Sequence, residues 1–295
     1  MKPLKTMTVR FELIDDKILM DRTTSNFPID CFQPALDLLK IDLQQEEAEI
    51  KSKNQGKHIR PNLKAELVVA RYNESLTWIL GTPRNIDRIT IYNKGNDYQD
   101  IGDPRVHVTQ LPNVGREAHA FLTHIVENYD SLADVTFTVQ GNALFHAPDL
   151  FGLLQLKHTI PTSLTPYYSP HFPKQNIKDK DLVIKVGPYE IRYGLFMHFG
   201  SRNPKSNLRW FEEAWEEVFD CPLPVPYYFG YGAMWAIPKE NILHRSREFY
   251  VRLLVALDSQ GPEYKQFTTP IDAWSIEGMW HAILMGPAIY PGKIK

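Results

Sequence analysis

Four groups of side chains in the 295-residue chain have the types and spacing for chemistry. The first is Arg71-Tyr72-Asn73-Glu74, directly behind the apolar run Leu67-Val68-Val69-Ala70. A cation, an amide and a carboxylate at a strand end can hold the phosphate, base and ribose of a nucleotide. The same four residues also read as a polar turn that caps a following helix. The second is Asn113-Val114-Gly115-Arg116-Glu117-Ala118-His119, at the start of the strongest helical pattern. A helix N-terminus offers unpaired amides and the positive end of the dipole, so it favours an anion such as a diphosphate. Asn113 would cap the helix, Gly115 would allow close approach, and Arg116 would grip phosphate oxygens in a fork. Ordinary capping with a surface ion pair is the competing reading.

The third group is Gln140-Gly141-Asn142, followed by His146 and Asp149. His146 and Asp149 could ligate a metal, but two ligands without a third fall short of a site. The fourth joins Gly230-Tyr231-Gly232-Ala233-Met234-Trp235 to Trp274 and to Ile276-Glu277-Gly278-Met279-Trp280-His281. Glu277 and His281 are four apart, so they share one side of a helix. Glu277 borders the apolar stripe of that helix. Partial shielding from water raises a carboxylate's pKa and suits it to general-base work. Alternatively it is a core-edge carboxylate paired with Arg245 or Arg247.

These groups need a scaffold, and the hydrophobic pattern supplies one. Glu66 to Ala70, Arg88 to Asn93, Val106 to Val108 and Val135 to Val139 read as strands. Between the third and fourth, Ala118, Phe121, Leu122, Ile125, Val126 and Tyr129 repeat at helical spacing from about Gly115 to Tyr129. Strand, helix and strand in that order predict an α/β fold with a mostly parallel central sheet flanked by helices. Ligands of such sheets bind at the carboxyl ends of the strands, where the first three groups fall. Downstream, Asn207 would cap a helix that buries Leu208, Phe211, Trp215 and Val218. Tyr227 to Ile237 reads as a strand broken by glycines, Lys239 to Leu257 as one helix, and Ile271 to Leu284 as the last helix. Residues 1–60 form an N-terminal extension with an edge strand or hairpin at Thr8–Ile14 and a helix over Pro34–Ile50; residues 61–295 form the main domain.

Composition narrows the classes. Apolar residues make up 43% and aromatics 12%, enough for a sizeable core. A formal net charge of −2 shows no basic excess, so nucleic acid is not an expected partner. Two distant cysteines, Cys31 and Cys221, suggest no disulfide framework. No apolar run reaches the length of a membrane span and no signal peptide is evident, so a soluble cytoplasmic protein is expected. A nucleophile elbow, a P-loop and an H-E-x-x-H zinc motif are all missing.

In order along the chain, the four groups resemble the skeleton of GT-A glycosyltransferases. More closely, the chain from about Glu66 to Gly286 resembles an uncharacterised domain family with the signatures A-R-Y-N-E, N-x-G-R-E-A-H, N-Y-D-x-L-x-D-V-T and E-x-x-W-H. The GT-A resemblance implies a Rossmann-like fold and a hexosyl- or pentosyltransferase that moves a sugar from a UDP- or GDP-type donor to a hydroxyl of a glycan acceptor. It implies that Arg71, Asn73, Glu74, Asn113, Gly115, Arg116, Gln140 and Asn142 line the nucleotide and diphosphate. Gly232, Trp235 and Trp274 would meet the acceptor, Glu277 would be the base of an inverting reaction, and His281 would be a metal ligand. Metal-dependent members carry Asp-x-Asp where this chain has Gln140-Gly141-Asn142. Neutral amides bind Mg²⁺ or Mn²⁺ poorly, so either the metal is held weakly or Arg71, Arg116 or another cation balances the leaving diphosphate, and metal-independent or only metal-assisted chemistry is expected. A metal-assisted hydrolase using His146, Asp149, Glu277 and His281, or a non-catalytic glycan-binding domain, are the alternatives.

Overall fold

A computed structural model describes residues 11–14, 17–20, 63–96, 98, 100–165, 167–168, 182–186, 188–195, 208–224, 227–230, 232–259 and 271–285. The first two segments are strands β1 (Phe11–Ile14) and β2 (Lys17–Met20), paired antiparallel as a hairpin. The expected helix over Pro34–Ile50 and the Asn207 cap lie outside the described residues.

Three strands come next, β3 (Ala65–Arg71), β4 (Arg88–Asn93) and β5 (Val106–Gln110). Helix α1 (Arg116–Asn128) leads to β6 (Val135–Gln140). Two short turns of helix, α2 (Ala143–His146) and α3 (Leu150–Leu153), precede β7 (Thr162–Ser163) and β8 (Tyr167–Tyr168). After β9 (Leu182–Val186) and β10 (Tyr189–Leu195) come helix α4 (Leu208–Phe219), β11 (Tyr228–Gly230) and β12 (Trp235–Pro238). Helices α5 (Lys239–Leu243), α6 (Arg247–Asp258) and α7 (Ala273–Met285) complete the described chain.

The main sheet has six strands in the order β5-β4-β3-β6-β12-β7. β5, β4, β3 and β6 are parallel, and β12 runs against both of its neighbours. Parallel neighbours need crossovers rather than hairpins, and the β5-to-β6 crossover is α1. Leu67, Val68 and Val69 of β3 are fully buried, as expected of a central strand covered on both faces. β5, at the edge, leaves His107 to Gln110 exposed. A second sheet places β10 against β8, β9 and β11, and α7 packs on β11. The predicted mostly parallel α/β sheet with helical flanks is therefore present.

The helix stripes match their burial. Ala118, Phe121, Leu122 and Ile125 of α1 are buried, as are Ile276, Met279, Trp280, Ile283 and Leu284 of α7. On α4, Phe211, Trp215 and Val218 face inward while Glu213, Glu216 and Glu217 face water. Two elements differ from expectation. The segment 239–257 is two helices, because Ser246 restarts the chain as an N-cap and accepts the Phe249 N–H at 3.3 Å. Where one strand is expected from Tyr227 to Ile237, β11 and β12 lie in different sheets, and Gly232 between them is left-handed at φ +72°.

One buried histidine makes the core sensitive to acid. His158 is 4% exposed, meets the edge of Phe137 with ring centroids 5.4 Å apart, and lies 2.9 Å from the Leu153 carbonyl through Nε2. Burial pushes its pKa down to about 4, against a weaker upward pull from that carbonyl. A histidine held neutral by the fold stabilises above its unfolded pKa, and that stability is lost as pH falls. The loss begins below pH 6.5, runs to about pH 4 and amounts to about 3 kcal/mol. Urea titrations across this window are expected to show a shallower pH slope in His158→Phe than in the wild type; equal slopes would exclude His158 as the origin.

Candidate functional site

β3 to β5 build one side of the sheet, and the chain then returns through α1 to build β6 on the other side of β3. The β3/β6 boundary is thus a topological switch point, the usual crevice for ligands at the carboxyl edge of an open α/β sheet. Both loops at this boundary belong to groups singled out by their chemistry.

A row of polar side chains crosses that edge. Arg71, Asn93 and Gln110 end three adjacent strands in register. Arg71 Nη1 donates to Asn93 Oδ1 at 2.6 Å, Asn93 Nδ2 donates to Gln110 Oε1 at 2.8 Å, and Gln110 Nε2 donates to the Gly95 carbonyl at 3.1 Å. Arg71 also donates to the carbonyls of Tyr72 and Glu74, each at 3.0 Å. Arg71 therefore shapes the loop that carries Asn73 and Glu74. The Glu74 carboxylate accepts the Tyr72 N–H at 2.7 Å and packs so closely on Gly141 that an added Cβ there would lie 2.6 Å from Oε2. Trp78 Nε1 donates to the Gly141 carbonyl at 2.8 Å, which ties the β3 loop to the β6 loop. Asn73 and Asn142 are exposed and Gln140 is half-buried.

The start of α1 lies at the same edge. Asn113 is exposed and does not cap the helix; the cap is Gly115, in the left-handed region at φ +57°. Only glycine fits there, since a Cβ would meet His119 at 2.9 Å and Leu257 at 3.1 Å. Arg116 is left-handed too, at φ +50°. Its guanidinium lies 4.4 Å from the ring centroid of Trp274 and 3.5 Å from Glu117 Oε2.

From the opposite side, α7 brings Glu277 and Trp274 to this corner. Burial and the nearby Glu117 charge raise the Glu277 pKa to about 7; Arg116 and the Gly232 N–H, which donates to the carboxylate, pull it down. Neither Arg245 nor Arg247 is the partner. Arg245 donates to the Ala282 carbonyl at 3.4 Å, and Arg247 lies 3.6 Å from Asp130. Arg116, Gly232, Trp274 and Glu277, drawn from three separate segments, thus meet at one place. A carboxylate that titrates near neutrality beside a cation and an aromatic face can accept a proton from a hydroxyl.

Three further residues complete the corner. Lys94 directly follows β4, is 8% exposed, and donates through Nζ to the carbonyls of Val114 and Arg116, the latter at 2.5 Å. The Glu117 charge adds to burial in raising the Glu277 pKa. Asp272 caps α7: its Oδ1 accepts the Ser275 N–H at 2.8 Å, and Ser275 Oγ accepts the Asp272 N–H at 2.8 Å. Asp272 is 2% exposed, its Oδ2 has no hydrogen-bond partner, and burial pushes its pKa up to about 6 against the hydrogen bonds from Ser275 and Trp274 and, least, the Arg116 charge. A buried carboxylate oxygen left unpaired beside an arginine is an acceptor that a ligand could satisfy. Lys94 was legible as a cation at a strand end, by the same reasoning that singled out Arg71.

Other expected site residues lie elsewhere. Trp235 is 1% exposed and stacks on His281 at 6.3 Å and 19°, while His281, 5% exposed, also packs 4.9 Å from the Tyr193 ring. Trp235 is therefore a core residue rather than an acceptor contact, and His281 is enclosed by aromatic rings rather than open to a metal. His146 is exposed against Phe145, and Asp149 accepts the Tyr189 hydroxyl at 2.8 Å. Among the described residues no group of three or more His, Cys, Asp or Glu could hold a metal ion, so the hydrolase set of His146, Asp149, Glu277 and His281 is not assembled. No helix among the described residues is long and apolar enough to cross a membrane.

No curated protein and no solved structure matches the chain. Residues 67–159, from β3 through α1 and β6 to the turn beyond α3, match the model of a family described as a protein of unknown function, DUF3431.

Proposed function

We propose that this chain is a glycosyltransferase of GT-A type, transferring a sugar from a nucleoside-diphosphate donor to a hydroxyl of a glycan acceptor. The observation that carries the reading is the meeting of Glu277 with Arg116, Gly232 and Trp274 at the N-terminus of α1. In this reading the nucleotide lies over the β3/β6 boundary against Asn73, Glu74, Gln140 and Asn142. Its diphosphate faces the amides of α1 and Arg116. The acceptor sugar stacks on Trp274 beside Gly232, and Glu277 removes the proton from its hydroxyl as that oxygen attacks the anomeric carbon. The leaving diphosphate departs with the bonding electrons and is balanced by Arg116 and the helix amides.

The absence of carboxylates at residues 140–142 supports charge balance by protein cations rather than by a tightly held divalent metal. A melting-temperature screen with UDP-, GDP-, CMP- and dTDP-sugars, with and without Mn²⁺, tests the proposal. A ligand bound only by the folded chain raises stability by RT ln(1 + [L]/Kd). At least one nucleotide sugar should raise the melting temperature without Mn²⁺. No shift with any of them at millimolar concentration would remove the donor site.

A further inference from the structure

Resting on the reading that α1 seats a diphosphate, we infer that Lys94 is a positioning residue: its buried ammonium locks the Val114–Arg116 turn and so presents the α1 amides and Arg116 to the anion. The argument starts from the backbone. Gly115 and Arg116 are consecutive left-handed residues at φ +57° and +50°. For arginine that conformation costs about 1–2 kcal/mol, so an outside group must hold it. Lys94 Nζ donates to the carbonyls of Val114 and Arg116, on either side of Gly115.

In a planar trans peptide the N–H points opposite to the C=O. Carbonyls drawn to Lys94 therefore turn the Gly115 and Glu117 N–H groups away from the ammonium, leaving them for another acceptor. The lysine stem comes from the end of β4, so the helix start is fixed to the sheet rather than to its own loop. A second observation points to a ligand beside this turn: Asp272 Oδ2, 2% exposed and without a hydrogen-bond partner, lies near Arg116 and fits a donor such as a hydroxyl of the ligand's sugar rather than its phosphates.

The titratable groups around the ammonium are Glu117 and His119 of α1 and Asp258 of α6, with His119 2.8 Å from Asp258. Burial lowers the Lys94 pKa to about 8, although Glu117 and Asp258 raise it. Burial lowers that of His119 as well, with the Lys94 charge as a further cause. The clamp is charged at neutral pH; at mildly alkaline pH the ammonium loses its charge, and its hydrogen bonds to the two carbonyls weaken.

Calorimetric titration of UDP and GDP between pH 7 and 9.5 tests the inference. Terminal phosphates have a second pKa near 6, so the diphosphate charge is constant above pH 8; the ring N–H groups of uracil and guanine begin to ionise at the top of the range, and Lys94→Arg, titrated with the same ligands, controls for that. Affinity for whichever diphosphate binds should fall above pH 8, approaching about tenfold per pH unit. In Lys94→Arg, whose guanidinium stays charged, the fall should be smaller, leaving only what ionisation of the base contributes; Lys94→Met should already bind at least about tenfold more weakly at pH 7.

Melting temperature separates positioning from a general loosening of the fold. A lysine whose folded pKa lies below its unfolded value adds stability as pH rises from about 8 to 10.5. Binding should therefore weaken without a parallel fall in melting temperature. Wild-type affinity that is flat to pH 9.5, or an equal alkaline fall in Lys94→Arg, overturns the role of Lys94 and leaves the diphosphate site standing. Failure of both UDP and GDP to bind at pH 7 overturns the site itself and the inference with it.

Discussion

Glu277→Gln is expected to slow transfer by about 10²–10⁴-fold, the usual contribution of a positioned general base, while donor affinity stays nearly unchanged. The substitution keeps the size and hydrogen-bonding reach of the side chain and removes only its capacity to take a proton. The wild-type rate should rise with pH through about 7, where Glu277 loses its proton, and this rising limb should vanish in the variant. Glu117→Gln removes a like charge beside Glu277 and should move the limb to lower pH.

Stability should change in the other direction. A carboxylate with its folded pKa raised from 4.5 to about 7 keeps a proton that the unfolded chain releases, so stability declines as pH rises through that window. Glu277→Gln should accordingly melt higher than the wild type at pH 8. A fully active, normally binding variant would remove Glu277 as the base; a variant that melts lower at pH 8 would show that the carboxylate serves the fold.

The second large effect concerns the loop between Lys94 and the β3 edge. An added Cβ at Gly95 would overlap the Tyr72 carbonyl and the Asn73 side-chain oxygen. The obstacle is backbone of the neighbouring strand-end loop, which cannot rotate aside as a flexible side chain could. The Gly95 carbonyl also accepts from Asn93 Nδ2 and Gln110 Nε2, at 3.0 and 3.1 Å. Gly95→Ala must therefore push the two loops apart and break that polar row. Overpacking of this kind costs about 1–3 kcal/mol or more, a fall of several degrees in melting temperature for a domain of this size. Nucleotide affinity should drop with it, because Asn73 moves. Unchanged melting and binding would mean that the two loops are not held together as described.

Much of the scaffold was legible because it rests on periodicity. The 3.6-residue stripe of α1 and the four parallel strands follow from apolar spacing alone, and the order of polar loops along them predicts which residues reach the carboxyl edge. The breaks were harder to read. Ser246 lies inside a continuous helical pattern, and only its capping hydrogen bond reveals two helices. Trp235 and His281 are chemically suited to a site, but their neighbours across the fold enclose them in an aromatic core.

Pairings between distant segments were also beyond pattern. Glu277 meets Arg116 of α1 rather than a nearby arginine, and Lys94 binds backbone carbonyls that no motif records. Glu66 has the same character. It lies in a strand that reads as apolar, yet its buried carboxylate accepts the Thr90 hydroxyl at 2.5 Å and lies 3.6 Å from His124 beneath α1.

The central claim is that the β3 loop, the start of α1 and Glu277 form one nucleoside-diphosphate site. Amide hydrogen exchange with and without the nucleotide sugar that raises the melting temperature tests it most directly, because it reports where the ligand sits rather than only that it binds. Added nucleotide should slow exchange in the peptides covering residues 71–74, 114–118 and 141–142, with little change in the peptides of α4. Slowed exchange confined to other segments, with those three unchanged, would contradict the account.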